Sequence, residues 1–264
     1  MSESAIAARF AELRARRRPG LVAYLTAGHP TPATSREAIA AAGELADVLE
    51  VGIPFSDPLA DGPVIQRASF EAIRQGMSLE RALDLVQEVG PRAPVVIFSY
   101  LNPVLRFGID RFLARAVAAG AAGVLLTDLP AGGDPTLEGR VQASSLDLIR
   151  LVAPTTSNDR MRVAVQGAQG FVYLISRLGV TGARAPLPAE LERLVARVRT
   201  VTTLPIAVGF GVSSAAQVAQ VGRLADGVVV GSALVDRLES GGVAGARELL
   251  HELREALAHD EVAV

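Results

Sequence analysis

Short apolar runs alternate with longer helix-patterned segments along almost the whole chain. Eight such runs are rich in Val, Ile and Leu and are bounded by Gly, Pro, Asp or Ser, as expected of strands covered by helices. These predicted strands are residues 21–25, 48–51, 95–99, 123–127, 148–152, 171–176, 206–209 and 227–231. Crossover connections of this length impose parallel pairing in right-handed units. Eight units in roughly 250 residues predict an α/β fold, a closed (β/α)8 TIM barrel.

Helical periodicity fills the segments between the strands. The predicted helices are residues 34–46, 64–88, 109–119, 158–166, 189–200, 213–221 and 243–258. An extra N-terminal helix over residues 4–17 is expected to cover the bottom of the barrel. Because no linker or composition shift divides the chain, residues 1–264 are expected to form a single barrel domain, with 131–135 as its most flexible-looking loop.

Polar and glycine residues follow the predicted strands at their carboxyl ends. Chemistry sits at that face in barrels of this class. We therefore expect the following side chains and glycines to converge on one mouth: Glu50, Asp61, Tyr100, Asp128, Thr181, Gly211 and Ser232.

Residues 50–63, EVGIPFSDPLADGP, place one acid inside an apolar strand and two more in the proline-rich loop that follows. Burying a charge is costly unless it is paired. Two carboxylates in different environments can hold different protonation states, so Glu50 and Asp61 are candidates for general acid–base chemistry. The alternative is that Glu50 caps a helix or pairs with an arginine. Asp57 fits a turn residue that satisfies local backbone amides.

Glycine-rich segments follow the last three predicted strands, at residues 180–182, 209–214 and 231–234. Glycine lets backbone amides approach an anion closely, and a helix that begins there adds its positive end. Each segment alone is equally well explained as a turn. Their succession predicts a phosphate site and a phosphorylated small molecule as ligand. The chain lacks the glycine motifs of dinucleotide and nucleoside triphosphate sites.

Composition excludes several other functions. The chain has no cysteine, and its three histidines, His29, His251 and His259, are scattered, so no disulfide, thiolate or metal site is expected. A net charge of −2 gives no sign of nucleic acid or of an anionic membrane as a partner. The chain starts with polar residues and has no apolar run of about 18 residues, so a cytoplasmic protein is expected.

Residues 50–63, YLISRLGVTG at 173–182, GFGVS at 209–213 and Gly231-Ser232 closely resemble the tryptophan synthase alpha subunit family. The match runs in order from about Tyr24 to Leu234. The resemblance implies a lyase of L-tryptophan biosynthesis that cleaves indole-3-glycerol phosphate by retro-aldol chemistry to indole and glyceraldehyde 3-phosphate. It also implies no cofactor in this chain. The implied partner is a beta subunit that uses pyridoxal phosphate to join indole to serine, in an alpha2-beta2 complex.

The same resemblance implies roles for individual residues. Glu50 moves protons at indole C3 and at the glycerol hydroxyl, while ionised Asp61 accepts the indole N–H. A carboxyl donor needs a pKa raised from about 4.3 toward neutrality, which an apolar barrel mouth could supply. Thr181 contacts Asp61 when the loop after strand 6 closes. The phosphate is held by backbone amides of Gly182, Gly211, Gly231 and Ser232.

A flat apolar slot for the indole ring is expected near the acids. Its predicted walls are Tyr100, Tyr173, Phe210, Ile65 and Leu125. The alternative for the two aliphatic residues is ordinary barrel core.

Two segments, 55–63 and 177–188, have the composition of mobile lids, and the beta subunit is expected to press on the first. Its expected contacts are Asp57, Pro58 and the Asn102-Pro103 turn. Leu178, His29 and the 131–133 turn depart from the family pattern. Two other hypotheses remain: a different phosphosugar barrel enzyme such as an isomerase, and a silent binding subunit. The acid pair favours the lyase.

Overall fold

The computed structural model describes residues 4–176, 187–209 and 211–258. Its strands close into one parallel barrel in chain order, with β1 hydrogen-bonded to both β2 and β8. The strands are β1 (Gly20–Thr26), β2 (Val48–Gly52), β3 (Val95–Ser99), β4 (Ala121–Leu126), β5 (Asp147–Val152), β6 (Val172–Ile175), β7 (Ile206–Gly209) and β8 (Gly227–Val230). The predicted TIM barrel is confirmed.

Helices surround this barrel. They are α1 (Ala5–Ala15), α2 (Pro32–Leu45), α3 (Pro63–Arg74), α4 (Leu79–Val89), α5 (Leu101–Phe107), α6 (Ile109–Ala118), α7 (Pro135–Ala143), α8 (Asn158–Gln166), α9 (Leu187–Arg199), α10 (Ala215–Gly222) and α11 (Ser232–Ala258). Within α11 the backbone breaks at Gly242, where φ is 61°. No helix of the described residues is both long and apolar enough to span a membrane.

The single helix predicted over 64–88 is wrong, because the segment forms α3 and α4 instead. Gly76 separates them with a φ of 82°, a left-handed conformation that suits glycine and stops the helix. Ser78 then caps α4, since its side chain accepts a hydrogen bond from the Arg81 amide.

Three helical segments were not predicted: α5, α7 and the first half of α11. The end of the loop predicted over 131–135 begins α7, because Asp134 caps the helix and Pro135 stands at its first position. Gly242 divides α11. The prediction captured only the part that follows this glycine.

The N-terminal helix closes the bottom of the barrel, as predicted. Ile6, Phe10 and Leu13 of α1 belong to the same buried cluster as inward-facing strand residues such as Val22 and Ile149. A second, larger apolar cluster fills the space between the outer face of the barrel and its helices. The opposite, carboxyl end of the strands is therefore the end that remains available for chemistry.

Candidate active site

Glu50 lies in the middle of β2, between Tyr24 of β1 and Val96 of β3 in the strand register. Its side chain is completely buried, and neither carboxyl oxygen has a hydrogen-bond partner among the described residues. Burial without a partner disfavours the charged form and raises the pKa of Glu50 to about 8. At neutral pH this carboxyl group is therefore a proton donor with no acceptor among the described residues.

Asp61 lies in the loop between β2 and α3 and is only partly buried. The hydroxyl of Tyr100 donates a hydrogen bond of 2.9 Å to its Oδ2 atom. Burial raises the pKa of Asp61 to about 6, against the opposing effect of this hydrogen bond. Asp61 is mostly ionised at pH 7, whereas Glu50 is mostly neutral. The two acids thus hold different protonation states, as acid–base catalysis requires.

Tyr100 connects β3 to residues 53–62, the loop that carries Asp61, which we call the acid loop. Besides donating to Asp61, its hydroxyl accepts a 2.9 Å hydrogen bond from the amide of Ala60. Phe55, in the same loop, packs against the Tyr100 ring at 5.1 Å between centroids. Tyr100 therefore both fixes the Asp61 carboxylate and presents an aromatic face beside it.

Tyr24 is a site residue that the sequence analysis did not assign. It lies directly opposite Glu50 in the β1–β2 ladder, and its ring packs edge-on against Phe98 at 5.2 Å. Burial is the main cause that raises its phenol pKa, and the charges of Asp61 and Glu50 add to it. The alternation of side chains along a strand could have indicated this position. Val22 and Tyr24 are two residues apart, so they lie on the same face of β1, and Val22 faces the barrel interior.

Tyr173 on β6 faces the same interior, and the charges of both acids affect the pKa of its phenol. Burial is the largest cause that raises this pKa, and the charges of Glu50 and Asp61 raise it further. Its hydroxyl occupies the space beside Gly209, where a Cβ atom would lie only 2.3 Å away. Gly52 makes room for the Tyr24 hydroxyl in the same way, at 2.1 Å. Two strand-end glycines thus allow two phenols to enter the barrel mouth.

The aliphatic residues predicted for the ring slot take different positions. Ile65 on α3 packs with the small cluster that contains Tyr24 and Val235, at the mouth. Leu125 on β4 is fully buried in the interior cluster that also holds Tyr173. Leu125 thus fits the core alternative as well as a slot floor, and its contact with a ligand stays a prediction.

The described part of the predicted phosphate site lies at the ends of β7 and β8. Gly211 follows β7 with a φ of 78°, and Gly231 follows β8 directly before α11 begins at Ser232. A Cβ atom on Gly231 would lie 3.7 Å from Ile65 and 3.5 Å from Tyr24, so this glycine borders the same mouth as the ring residues. Thr181, Gly182 and Phe210 lie outside the described residues. Among the described residues, no group of three His, Cys, Asp or Glu side chains could hold a metal ion.

Comparison with known proteins agrees with this arrangement. A family model described as "Tryptophan synthase alpha chain" matches residues 10–263. The chain belongs to the tryptophan synthase alpha chain family. Members of this family are lyases of tryptophan biosynthesis, and this chain is one of them.

Relatives in this family match along nearly their full length. The tryptophan synthase alpha chain of Acidiphilium cryptum is 46% identical over 242 residues, covering 90% of this chain and 88% of the relative. That of Synechococcus elongatus is 44% identical over 263 residues, covering 98% and 99%. The crystal structure of the alpha chain from Legionella pneumophila superposes with a TM-score of 0.90 at 33% identity, covering 99% of this chain and all of the other. A chain of aminoacrylate-bound tryptophan synthase from M. tuberculosis gives 0.88 at 36%, covering 97% and 100%.

His29, one of the departures from the family pattern, is a buried residue at the mouth side of β1. Its Nδ1 atom lies 3.2 Å from Glu71 of α3 and its Nε2 atom 4.0 Å from Glu239 of α11. Burial lowers the pKa of His29, against the effect of the two glutamates. The imidazole therefore packs between the two helices whose first residues border the site. Leu178, another departure, lies outside the described residues.

Proposed function

We propose that the chain cleaves indole-3-glycerol phosphate to indole and glyceraldehyde 3-phosphate. Protonation of indole C3 makes that carbon tetrahedral and places a positive charge on the ring nitrogen. Loss of the proton from the glycerol hydroxyl beside the scissile bond then forms the aldehyde, while the electrons of the broken carbon–carbon bond return to the ring. No external oxidant, reductant or water enters the products.

The state of Glu50 is the single observation that carries this proposal. A buried carboxyl that has no partner among the described residues and has a pKa of about 8 is neutral at pH 7 and can protonate C3. After it has given up this proton, the carboxylate can accept the proton of the glycerol hydroxyl. Both transfers need a group whose pKa lies near the working pH, and the pKa of Glu50 does.

Asp61 is proposed to stabilise the cationic ring. Its pKa of about 6 leaves it ionised at neutral pH, and Tyr100 holds its Oδ2 atom while its other oxygen can accept the indole N–H. Tyr24, Tyr100, Tyr173 and Ile65 would contact the ring faces, with Leu125 and Phe210 as further walls. Thr181 would contact Asp61, and the backbone of Gly182, Gly211, Gly231 and Ser232 would hold the phosphate.

The partner is proposed to be a tryptophan synthase beta subunit in an alpha2-beta2 complex, with pyridoxal phosphate in that subunit and no cofactor in this one. Leu59, in the acid loop, is 92% exposed, and Leu105 of α5 is 51% exposed. Tyr100 joins these two segments, since it precedes α5 and bonds the loop at Ala60. Apolar side chains exposed on two connected segments suit a protein interface. A cytoplasmic location is part of the same proposal.

Indole release tests the reaction. The purified chain is incubated with indole-3-glycerol phosphate, alone and with a beta subunit, and indole and glyceraldehyde 3-phosphate are quantified separately. The proposal requires equal amounts of both products, released faster with the partner. If neither condition yields indole, the lyase reaction is wrong for this chain. If indole is released equally fast in both conditions, the proposed partner is wrong.

A further inference from the structure

The barrel wall opens between β4 and β5 at the carboxyl end. The ladder between these strands stops at the pair Leu125 and Ile149. Beyond it, β4 continues only against β3, where Leu126 pairs with Ser99, and β5 continues only against β6, from Arg150 onward. A cavity of about 460 Å³ occupies the place where the two strands part. We name it the β4–β5 cleft.

The β4–β5 cleft has apolar walls and a polar, cationic rim. Leucine, isoleucine and alanine side chains of β4, β5 and α8 supply the walls. Thr155, Thr156 and Ser157 add hydroxyls at the start of α8, and two arginines, Arg150 and Arg160, add positive charge. Among the described residues, no carboxylate lines this cavity, so Glu50 and Asp61 are not part of its wall. Its volume falls in the range of small-molecule sites.

Arg150 is an unusual residue for an interior strand, because only 4% of it is exposed. Its Nη1 atom donates to the carbonyl of Leu129 at 3.2 Å, and its Nη2 atom forms an ion pair with Glu138. Its Nε atom is buried and has no hydrogen-bond partner among the described residues. A buried guanidinium destabilises the fold when one of its N–H groups has no hydrogen-bond acceptor, unless a bound ligand or water supplies that acceptor.

The charges around the cleft do not cancel. Glu138 balances Arg150. Arg160 is exposed and donates to the carbonyl of Ala131 at 3.0 Å, and no carboxylate of the described residues forms an ion pair with it. These three charged side chains, Arg150, Glu138 and Arg160, leave one net positive charge beside apolar walls, which suits a monoanion. A phosphate dianion would leave one net negative charge there instead.

We propose that the β4–β5 cleft binds a small carboxylate with an apolar body. The carboxylate would lie between Arg150 and Arg160 and accept from the hydroxyls at the start of α8, while its apolar part would lie against the walls formed by β4 and β5. Arginine is suited to this role because its planar N–H groups match a carboxylate in two-point contacts. The described walls of the cleft include neither Glu50 nor Asp61, and this binding does not depend on the lyase reaction.

The experiment titrates the full-length, isotope-labelled chain with 3-phenylpropanoate and follows backbone amide signals by NMR. The neutral amide of the same acid, 3-phenylpropanamide, serves as the matched probe. We expect saturable shifts at Ala131, Thr156 and Ala164, with the amide binding about tenfold more weakly because it loses the charge-assisted bonds. The absence of saturable shifts, or equal binding of both probes, overturns the proposal.

Two variants sharpen the test. Arg160→Gln should weaken binding of 3-phenylpropanoate several-fold. Glu138→Gln should tighten it, because the Glu138 carboxylate then no longer competes with the ligand for Arg150. The glutamine side chain can still accept the hydrogen bond that the Gly132 amide donates to Glu138. Arg162→Gln is the control, since Arg162 is exposed on the same helix and pairs with Asp159 outside the cleft. Melting curves establish that each variant is folded. Unchanged affinity in Arg160→Gln, or displacement of the probe by indole, overturns the proposal.

Discussion

The hydroxyl of Tyr100 and the Oδ2 atom of Asp61 are 2.9 Å apart, with the tyrosine as donor. A hydrogen bond to the charged form of an acid favours that form, so this contact opposes the rise in the Asp61 pKa that burial causes. Because the same hydroxyl accepts from the Ala60 amide, it also holds the loop that carries Asp61. One phenol thus sets both the position and the ionisation of this carboxylate.

Replacing Tyr100 with Phe should therefore raise the pKa of Asp61 above 6. Hydrogen bonds to charged groups are worth about 1.5–3 kcal/mol, which corresponds to a shift of about one pH unit or more. The acidic limb of the kcat/KM profile for indole release should move upward by that amount, while the alkaline limb stays in place. Phe55→Leu is the control, because it removes the ring that packs on Tyr100 but leaves the hydroxyl. An unmoved acidic limb in Tyr100→Phe contradicts the assignment of Asp61.

The unmodified chain should show a bell-shaped pH dependence of kcat/KM. Activity requires ionised Asp61, so it should fall as the pH drops through about 6. It also requires protonated Glu50, so it should fall again as the pH rises through about 8. The profile is measured from initial rates of indole release at subsaturating substrate. A flat profile between pH 5 and 9 would exclude this pair of roles.

Substitution of either acid by its amide should reduce turnover without unfolding the barrel. Glu50→Gln keeps the shape but cannot move a proton, and Asp61→Asn cannot stabilise a cationic ring. A loss of at least about 10²-fold is expected in each case. Single-turnover rates with the beta subunit present, together with melting curves, provide the measurement. Near-normal turnover in one variant removes that residue from the mechanism.

Glu50 should also destabilise the folded chain at alkaline pH. Its pKa is about 8 when folded and about 4.5 when unfolded, so the folded state binds more protons between these values and stability falls as the pH rises through this window. Glu50→Gln removes the ionisation. Its free energy of unfolding should exceed that of the parent by an amount that grows from pH 4.5 to pH 8 and then levels off, reaching several kcal/mol. Glu37→Gln, at an exposed position of α2, is the control for the loss of one carboxylate.

Strand positions and the acid pair could be predicted from sequence because each rests on local chemistry. Buried parallel strands are continuous apolar runs, and an acid within such a run, as at Glu50, departs from the pattern visibly. The helix boundaries that were predicted wrongly depend on the backbone conformation of single residues. The neighbouring sequence does not determine that conformation. Gly76 could have been tolerated inside a helix, and its left-handed φ of 82°, which ends α3, is visible only in the structure.

The partners of Tyr24 and Arg150 show what sequence could not supply. Tyr24 is one residue of an apolar strand, and its role follows from the register that sets it beside Glu50. Arg150 occupies a strand in which the neighbouring residues are apolar, but its partners Glu138 and Leu129 come from a distant loop and helix. Pairing across strands and loops is a tertiary property, so neither contact could be derived from spacing along the chain.

Asp47 should matter for stability and not for catalysis, because it lies at the amino end of β2, opposite to the mouth. Its Oδ1 atom accepts from Arg18 at 2.6 Å and lies 3.2 Å from Arg9 of α1, and its Oδ2 atom accepts from the Leu21 amide at 2.9 Å. The side chain is 2% exposed, so this one carboxylate joins α1, β1 and β2 in a buried position.

Asp47→Ala leaves the Leu21 amide and Arg18 without their acceptor. Breaking a buried pair costs about 3–5 kcal/mol, but water can reach Arg18 and Arg9, so we expect a loss of about 2–4 kcal/mol in the free energy of unfolding. Urea unfolding provides the measurement, with Asp159→Ala as the control, because Asp159 is 95% exposed and its ion pair should contribute less than about 1 kcal/mol. The kcat of the folded fraction should stay unchanged. A loss of kcat with unchanged stability would instead mean that Asp47 affects catalysis through β2 and Glu50.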